Sequence, residues 1–124
     1  MIQERDKPLN ILLAEDEPVW QKMALLMIKR LGHKVECVAN GLEVLQALDE
    51  KNFDMIFLDI QMPVMDGITA TKAIRKRWPK CPRIVIITAC SWCREISIEA
   101  GADEFLTKPV GMEDLRAAIM RIAT

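Results

Sequence analysis

The sequence predicts a doubly wound, five-stranded parallel α/β sheet, and three observations carry that prediction. Apolar runs of strand length alternate five times with amphipathic stretches of helix length. The fourth run, Arg83–Thr88, is apolar enough for a strand at the centre of a sheet covered on both faces. The chain has 124 residues, 51% hydrophobic and 28% charged, the size of one domain that can bury a core without disulfides or a structural metal.

Residues 9–14 form the first strand. The next stretch places Trp20, Met23, Ala24, Met27, Ile28 and Leu31 on one helical face, and Gly32 closes it. Lys34–Val38 is the second strand, after which Asn40 and Gly41 open a helix carrying Val44, Leu45 and Leu48 on one side. Residues 53–58 form the third strand, ending at Asp59. Asp66 caps a helix running through Arg77, whose outer face holds Lys72, Arg75 and Lys76, and Trp78-Pro79 stops it. After the fourth strand a shorter helix reaches about Ala100, where Gly101 breaks it; Glu104–Thr107 is the fifth strand and residues 112–122 the last helix. Right-handed crossovers turn this alternation into one parallel sheet. A single domain over residues 1–124 is expected, with its core at about 9–123 and no repeat or linker.

Composition excludes several functions. Lys plus Arg is 17 against 18 for Asp plus Glu, so a net charge of −1 argues against a general phosphate-binding surface and against a direct nucleic-acid partner. Lys72, Arg75, Lys76, Arg77 and Lys80 read as a solvated helix face. The apolar runs fall short of the ~20 residues a membrane helix needs, and the polar start Met1-Ile-Gln-Glu-Arg-Asp-Lys7 is not a signal peptide. The expectation is a cytoplasmic domain without membrane contact. Cys37, Cys81, Cys90 and Cys93 are read as free thiols, since the core needs no staple.

In such sheets ligands bind beyond the carboxyl ends of the strands, near the point where strand order reverses. Glu15, Asp16 and Glu17 follow the first strand, Asp59 the third, Thr88 ends the fourth, and Lys108-Pro109 follows the fifth. Carboxylates gathered on one rim repel and call for a cation. Hard oxygen ligands with open water positions suit Mg²⁺. The plainer alternative is that Glu15, Asp16 and Glu17 only cap the first helix and favour its dipole. Their coincidence with Asp59, Thr88 and Lys108 weighs against it.

Four pieces stand in order at the ends of strands one, three, four and five: Leu12-Leu-Ala-Glu-Asp-Glu17, Leu58-Asp-Ile-Gln-Met-Pro-Val-Met-Asp-Gly67, Ile87-Thr-Ala89 and Ala100-Gly-Ala-Asp-Glu-Phe-Leu-Thr-Lys-Pro109. Together they resemble the CheY-like receiver domain of two-component response regulators, from Ile11 to the last helix. The resemblance implies a flavodoxin-like (βα)5 fold with strand order 2-1-3-4-5. It implies a domain that accepts a phosphoryl group on Asp59 from a histidine kinase or phosphotransfer protein, with Mg²⁺, and switches conformation. Only self-catalysed phosphorylation and dephosphorylation would then be enzymatic.

Residue by residue, the resemblance makes Asp59 the nucleophile and a metal ligand, Asp16 the direct Mg²⁺ ligand, and Glu15 a ligand through water. The Gln61 backbone carbonyl completes the protein ligands. Lys108 would pair with the phosphoryl oxygens and Thr88 would hydrogen-bond them. Phe105 is the aromatic switch, with a static core Phe as its plainer alternative. Pro109 follows a cis peptide. Gln61 and Cys90, two residues after Asp59 and Thr88, would tune dephosphorylation. Trp20 and Pro109 would meet the docking partner, although the simpler reading of Trp20 is core packing over the sheet, with Leu25 and Leu26 also enlarging the apolar surface of the first helix.

The chain departs from the family in carrying Glu15 where many relatives have Asp, Phe105 where Tyr is frequent, and a short segment between Thr88 and Gly101. The last departure argues against carrying over the family's dimer mode, leaving a monomer or a weak phosphorylation-dependent dimer. Cys90-Ser-Trp-Cys93 has the spacing of a redox or half-metal motif, so a thiol redox protein is an alternative reading. Zinc would need a second ligand pair that Cys37, Cys81 and His33 do not supply. A receiver-like module that binds partners without phosphorylation is the other alternative. No effector domain follows the last helix, so a stand-alone regulator or a piece of a hybrid sensor kinase is expected, the latter suggested by Met62-Pro-Val-Met-Asp-Gly67.

Overall fold

The computed structural model describes residues 7–122. The polar start up to Asp6 and the expected core limit at 123 lie outside the described residues. The chain alternates strand and helix: β1 (Asn10–Ala14), α1 (Pro18–Arg30), β2 (Lys34–Val38), α2 (Gly41–Glu50), β3 (Met55–Leu58), α3 (Gly67–Arg77), β4 (Arg83–Thr88), α4 (Arg94–Ala100), β5 (Glu104–Thr107) and α5 (Met112–Arg121). The strands form one parallel sheet in the order β2-β1-β3-β4-β5. The order reverses between β1 and β3, so a crevice opens above their carboxyl ends.

Strand alternation splits the interior into two layers. Ile11, Leu13, Met55, Phe57, Val85 and Ile87 point to one face, where Ala24 and Ile28 of α1 and Leu115, Ala118 and Ile119 of α5 cover them. Leu12, Ala14, Ile56, Leu58, Ile84 and Ile86 point to the other, under Val44 and Leu48 of α2 and Ala70 and Ile74 of α3. Because both faces are covered, β3 and the Ile84–Ile87 run of β4 are continuously apolar rather than alternating. The central position belongs to β3, with β4 one strand further out.

The starts of α1, α2 and α3 follow side-chain caps. Asn40 Oδ1 accepts the Glu43 N–H at 2.9 Å, Asp66 Oδ1 accepts the Thr69 N–H at 2.8 Å, and Glu17 takes the Val19 and Trp20 N–H groups at 3.1 and 2.7 Å. Leu9 stays outside β1, and β3 begins at Met55 rather than Phe53. Asp54 sits where the ladder starts and its carboxylate accepts the Asn10 N–H at 2.7 Å. No helix among the described residues is long and apolar enough to cross a membrane.

Two side-chain assignments are corrected. Met23 and Leu26 are 50% and 59% exposed, so the buried stripe of α1 runs through Trp20, Ala24, Leu25, Met27, Ile28 and Leu31 instead. Arg75 is not on the solvated face: its guanidinium reaches the Gly101 and Trp78 carbonyls at 2.9 and 3.2 Å and Asp103 at 2.7 Å, tying α3 to the α4–β5 turn. A long side chain can snorkel around a helix edge to reach such partners.

His33 fastens the start of β1, its Nδ1 accepting the Leu9 N–H at 2.9 Å. Burial holds this imidazole below its ordinary pKa. The unfolded chain therefore takes up the proton first. The stability that the neutral ring contributes is present above the ordinary imidazole pKa and is lost as pH falls through it toward the lower folded value. Between about pH 7.5 and 5.5 the urea midpoint of the wild type is expected to fall further than that of His33→Asn, whose side chain can accept the same N–H without titrating. Parallel slopes in the two proteins would assign the acid sensitivity to other groups.

Candidate functional site

The site is built where the ladder runs one residue past each strand. The Glu15 N–H bonds the Val38 carbonyl at 3.0 Å, the Asp59 N–H bonds Ala14 at 3.1 Å, and the Lys108 N–H bonds Thr88 at 2.8 Å. With Ala14 paired to Leu58 and Thr88 to Thr107, these bonds put residues 15, 59 and 108 on one rim. Their side chains converge. Glu15, Asp16 and Asp59 offer carboxylate oxygens within 4.8 Å of one another. Lys108 Nζ donates to Glu15 Oε1 at 2.8 Å and to Asp59 Oδ2 at 3.0 Å.

Burial sharpens the electrostatics. Glu15 is 1% and Asp59 7% exposed, while Asp16 is open to solvent. Burial pushes the Glu15 carboxyl above its ordinary range; the hydrogen bonds from Lys108 and from the Glu17 N–H oppose that shift without cancelling it. Burial alone would lower Lys108, yet its hydrogen bonds to Glu15 and Asp59 and the charges of both hold it above its ordinary value. Three crowded carboxylates against one ammonium leave the rim short of positive charge. The set consists of hard oxygen donors with one member facing water, which fits a small hydrated divalent cation. Glu17 does not join it, because its carboxylate caps α1.

The loop after Asp59 fixes that residue from behind. The Gly67 N–H bonds the Ile60 carbonyl at 2.8 Å, and a Cβ built on Gly67 would fall 2.1 Å from the Asp59 carbonyl oxygen. Only glycine fits this close approach. At the loop's tip Val64 is 77% exposed at φ +67°, spanned by a hydrogen bond of 2.7 Å from the Met65 N–H to Pro63. The Gly41 N–H, bonding Met65 at 2.9 Å, helps hold this strained turn in place.

The model of a family described as the response regulator receiver domain matches residues 11–120. The chain belongs to that family. Among solved structures, the receiver domain of a sensor histidine kinase from Pseudomonas aeruginosa PAO1 is similar to this receiver: 32% identical with a TM-score of 0.87, over 95% of this chain and 100% of that one. That structure has a magnesium ion coordinated in its active site cleft. Hybrid signal transduction histidine kinases K and G of Dictyostelium discoideum are 36% and 40% identical to it over 121 and 119 residues, 90% and 91% of this chain. The receiver spans only 10% and 4% of the length of those two proteins.

The remaining expected residues lie around the cluster in different ways. Thr88 is buried at the end of β4, and its Oγ1 accepts the Cys90 N–H at 3.4 Å. The Gln61 N–H points to Asp59 Oδ1 at 3.4 Å, with the residue itself exposed. Phe105 is half-buried on β5, paired with Ile86 and packed in the layer under α2 and α3. The Lys108–Pro109 peptide is cis and Pro109 is exposed.

Two contacts lie beyond what the sequence analysis identified, and one of its readings is corrected. The Trp20 ring centroid lies 5.7 Å from Lys108 Nζ, so this residue packs in the core and also faces the site lysine. Gln21 Nε2 donates to the Glu15 carbonyl at 2.8 Å; a polar residue inside an otherwise apolar stripe was the available signal. The expectation of four free thiols is corrected: Cys90 and Cys93 form a disulfide on Cα atoms 5.6 Å apart, while Cys37 and Cys81 are free. The turn closed by the Cys93 N–H on the Cys90 carbonyl at 3.4 Å brings the two residues into bonding range.

Proposed function

We propose that this receiver accepts a phosphoryl group on Asp59 from a histidine kinase or a histidine phosphotransfer protein, and relays it as a change of conformation. The observation that carries the reading is the Lys108 ammonium held between Glu15 and Asp59 at the sheet's switch point. Asp16, Asp59 and the Gln61 carbonyl would hold Mg²⁺ directly, and Glu15 through water. When bound, the ion neutralises charge on the phosphoryl oxygens and aligns them. An Asp59 carboxylate oxygen forms the new P–O bond as the donor's P–N bond breaks and its imidazole takes up a proton. Lys108 then turns from the carboxylates to a phosphoryl oxygen, and the Thr88 hydroxyl donates to another. Those contacts exist in one state only, so they shift the population toward it, with Phe105 following Thr88 inward. Gln61 and Cys90 flank the path by which water reaches the phosphoryl group and tune its lifetime.

Docking of the donor is assigned to Trp20 and Pro109 beside the rim. Val19, Met23 and Leu26 support it as an exposed apolar row on α1 at spacings of four and three residues. The unit is taken as one receiver over residues 1–124 with its core at about 9–123, a monomer or weak phosphorylation-dependent dimer acting in the cytoplasm on protein partners. No membrane or nucleic-acid contact and no enzymatic activity beyond its own phosphorylation and dephosphorylation belong to this reading.

The test is intact mass after incubation with acetyl phosphate, with and without Mg²⁺. One Mg²⁺-dependent phosphoryl adduct, labile to hydroxylamine, is the expected result. Its absence would leave a module that binds partners without being phosphorylated.

Trp20 yields a graded prediction. Trp20→Leu keeps an apolar side chain but removes the ring face from Lys108, and it is expected to slow adduct formation about threefold, with a modest drop in melting temperature from the lost ring volume. Trp20→Phe retains a ring and should recover most of the rate. Equal rates in all three proteins would limit Trp20 to packing and docking.

A further inference from the structure

We propose that Cys90 and Cys93 are a redox modification site, a disulfide that a dithiol reductant opens and whose state sets how long Asp59 keeps its phosphoryl group. The inference rests on the phosphoacceptor reading of Asp59. A cross-link between residues three positions apart closes a very short loop, which removes little entropy from the unfolded chain. Neither core layer includes it. Its value lies in its position.

Cys90 stands two residues after Thr88 and gives its N–H to the Thr88 hydroxyl oxygen. Cys93 leads into α4, and its carbonyl accepts the Ser97 N–H at 3.0 Å and the Ser97 hydroxyl at 2.7 Å. The ring therefore ties the strand end that carries the site hydroxyl to the first turn of α4. The two sulfur-bearing residues differ in access. Cys90 is 9% exposed, Cys93 is half-exposed, and Trp92 between them is 84% exposed. A large aromatic ring so open to solvent, beside the reachable cysteine, gives a dithiol protein an apolar contact.

The chemistry balances. A thiolate of the reductant attacks Cys93 Sγ, the S–S bond breaks, and Cys90 leaves as a thiolate that takes up a proton. The second thiolate of the reductant attacks the mixed disulfide and releases Cys93, which is protonated in turn. Two electrons and two protons pass to the protein, and the reductant leaves as its own disulfide. With the ring closed, Cys90 is held against Thr88 and screens the approach to Asp59. With it open, residues 90–93 can swing outward and admit water.

The experiment uses the full chain, oxidised or reduced with dithiothreitol, each state verified by the two-proton difference in intact mass. Both are loaded from acetyl phosphate with Mg²⁺ and the decay of the adduct is followed. The reduced receiver is expected to lose its phosphoryl group about fivefold faster. Cys90→Ser/Cys93→Ser should decay at one rate whether or not dithiothreitol is present. Equal lifetimes in the two states of the wild type, or a response to dithiothreitol that survives in the double variant, overturn the proposal and leave the phosphoacceptor reading standing. An adduct in neither state overturns that reading and the redox site with it. If the double variant does not fold, the wild-type pair alone decides.

Discussion

Asp59→Asn is expected to fold normally and to carry no phosphoryl group. An amide lacks the anionic oxygen that forms the acyl phosphate, so adduct formation from acetyl phosphate should fall by at least about 10³-fold. The fold should survive because the substitution relieves crowding. Asp59 shares its rim with Glu15 and Asp16, all within 4.8 Å, and the Lys108–Glu15 pair at 2.8 Å remains. The amide oxygen can still accept from Lys108 where the carboxylate did at 3.0 Å. Thermal melting is therefore expected at or above the wild-type temperature, while Mg²⁺ affinity, read from tryptophan fluorescence, drops about tenfold with the lost charge. A variant that still gains a phosphoryl mass would move the acceptor to another carboxylate.

Gly67→Ala should combine a large loss of stability with a loss of chemistry. The added methyl would meet the Asp59 carbonyl oxygen at 2.1 Å and the Asp59 carbonyl carbon and Ile60 Cα at 2.9 Å. All three are backbone atoms, so no side chain can turn aside. The hydrogen bond of 2.8 Å from the Gly67 N–H to Ile60 prevents the loop from simply lifting. Overpacking against backbone costs about 3 kcal/mol or more, which the urea midpoint will show. The relief available is to push Asp59 outward. A shift near 1 Å in a reacting group costs about 10²-fold in rate, so the folded fraction should be phosphorylated about that much more slowly. A variant destabilised but phosphorylated at the wild-type rate would mean that the loop yields and Asp59 stays.

Backbone placement was legible in the sequence to within a residue or two because its causes are local. Asn40, Asp66 and Gly101 act on their own turns, and Arg83–Thr88 or Glu104–Thr107 announce themselves by composition. The rim was legible for a related reason: a parallel sheet sends every strand end the same way, so Glu15, Asp16, Asp59 and Lys108 had to meet. What the sequence concealed depends on side-chain direction. Met23 lies at the edge of the α1 stripe, where spacing alone cannot separate covered from open. Arg75 reads as a surface charge until its reach to Gly101 and Asp103 is known. The spacing of Trp20 fits both a core and a partner contact, and the structure adds a third neighbour, the Lys108 ammonium. Spacing raised the pairing of Cys90 with Cys93, but only the turn between them shows that the Cα atoms come within 5.6 Å.

The arrangement of the sheet also governs how this receiver can be built into something larger. The chain enters β1 and leaves α5 at the edge farthest from Asp59: the Asn10 N–H bonds the Asp54 carboxylate, and Ile122 lines a shallow cleft with the same Asp54. Entry and exit are neighbours. Flanking polypeptide attached there would leave the rim clear, so the domain can be spliced in series with others without burying its own acceptor. If a phosphoryl donor sat on the same polypeptide, the length and stiffness of the tether would then set the local concentration at which donor and acceptor meet.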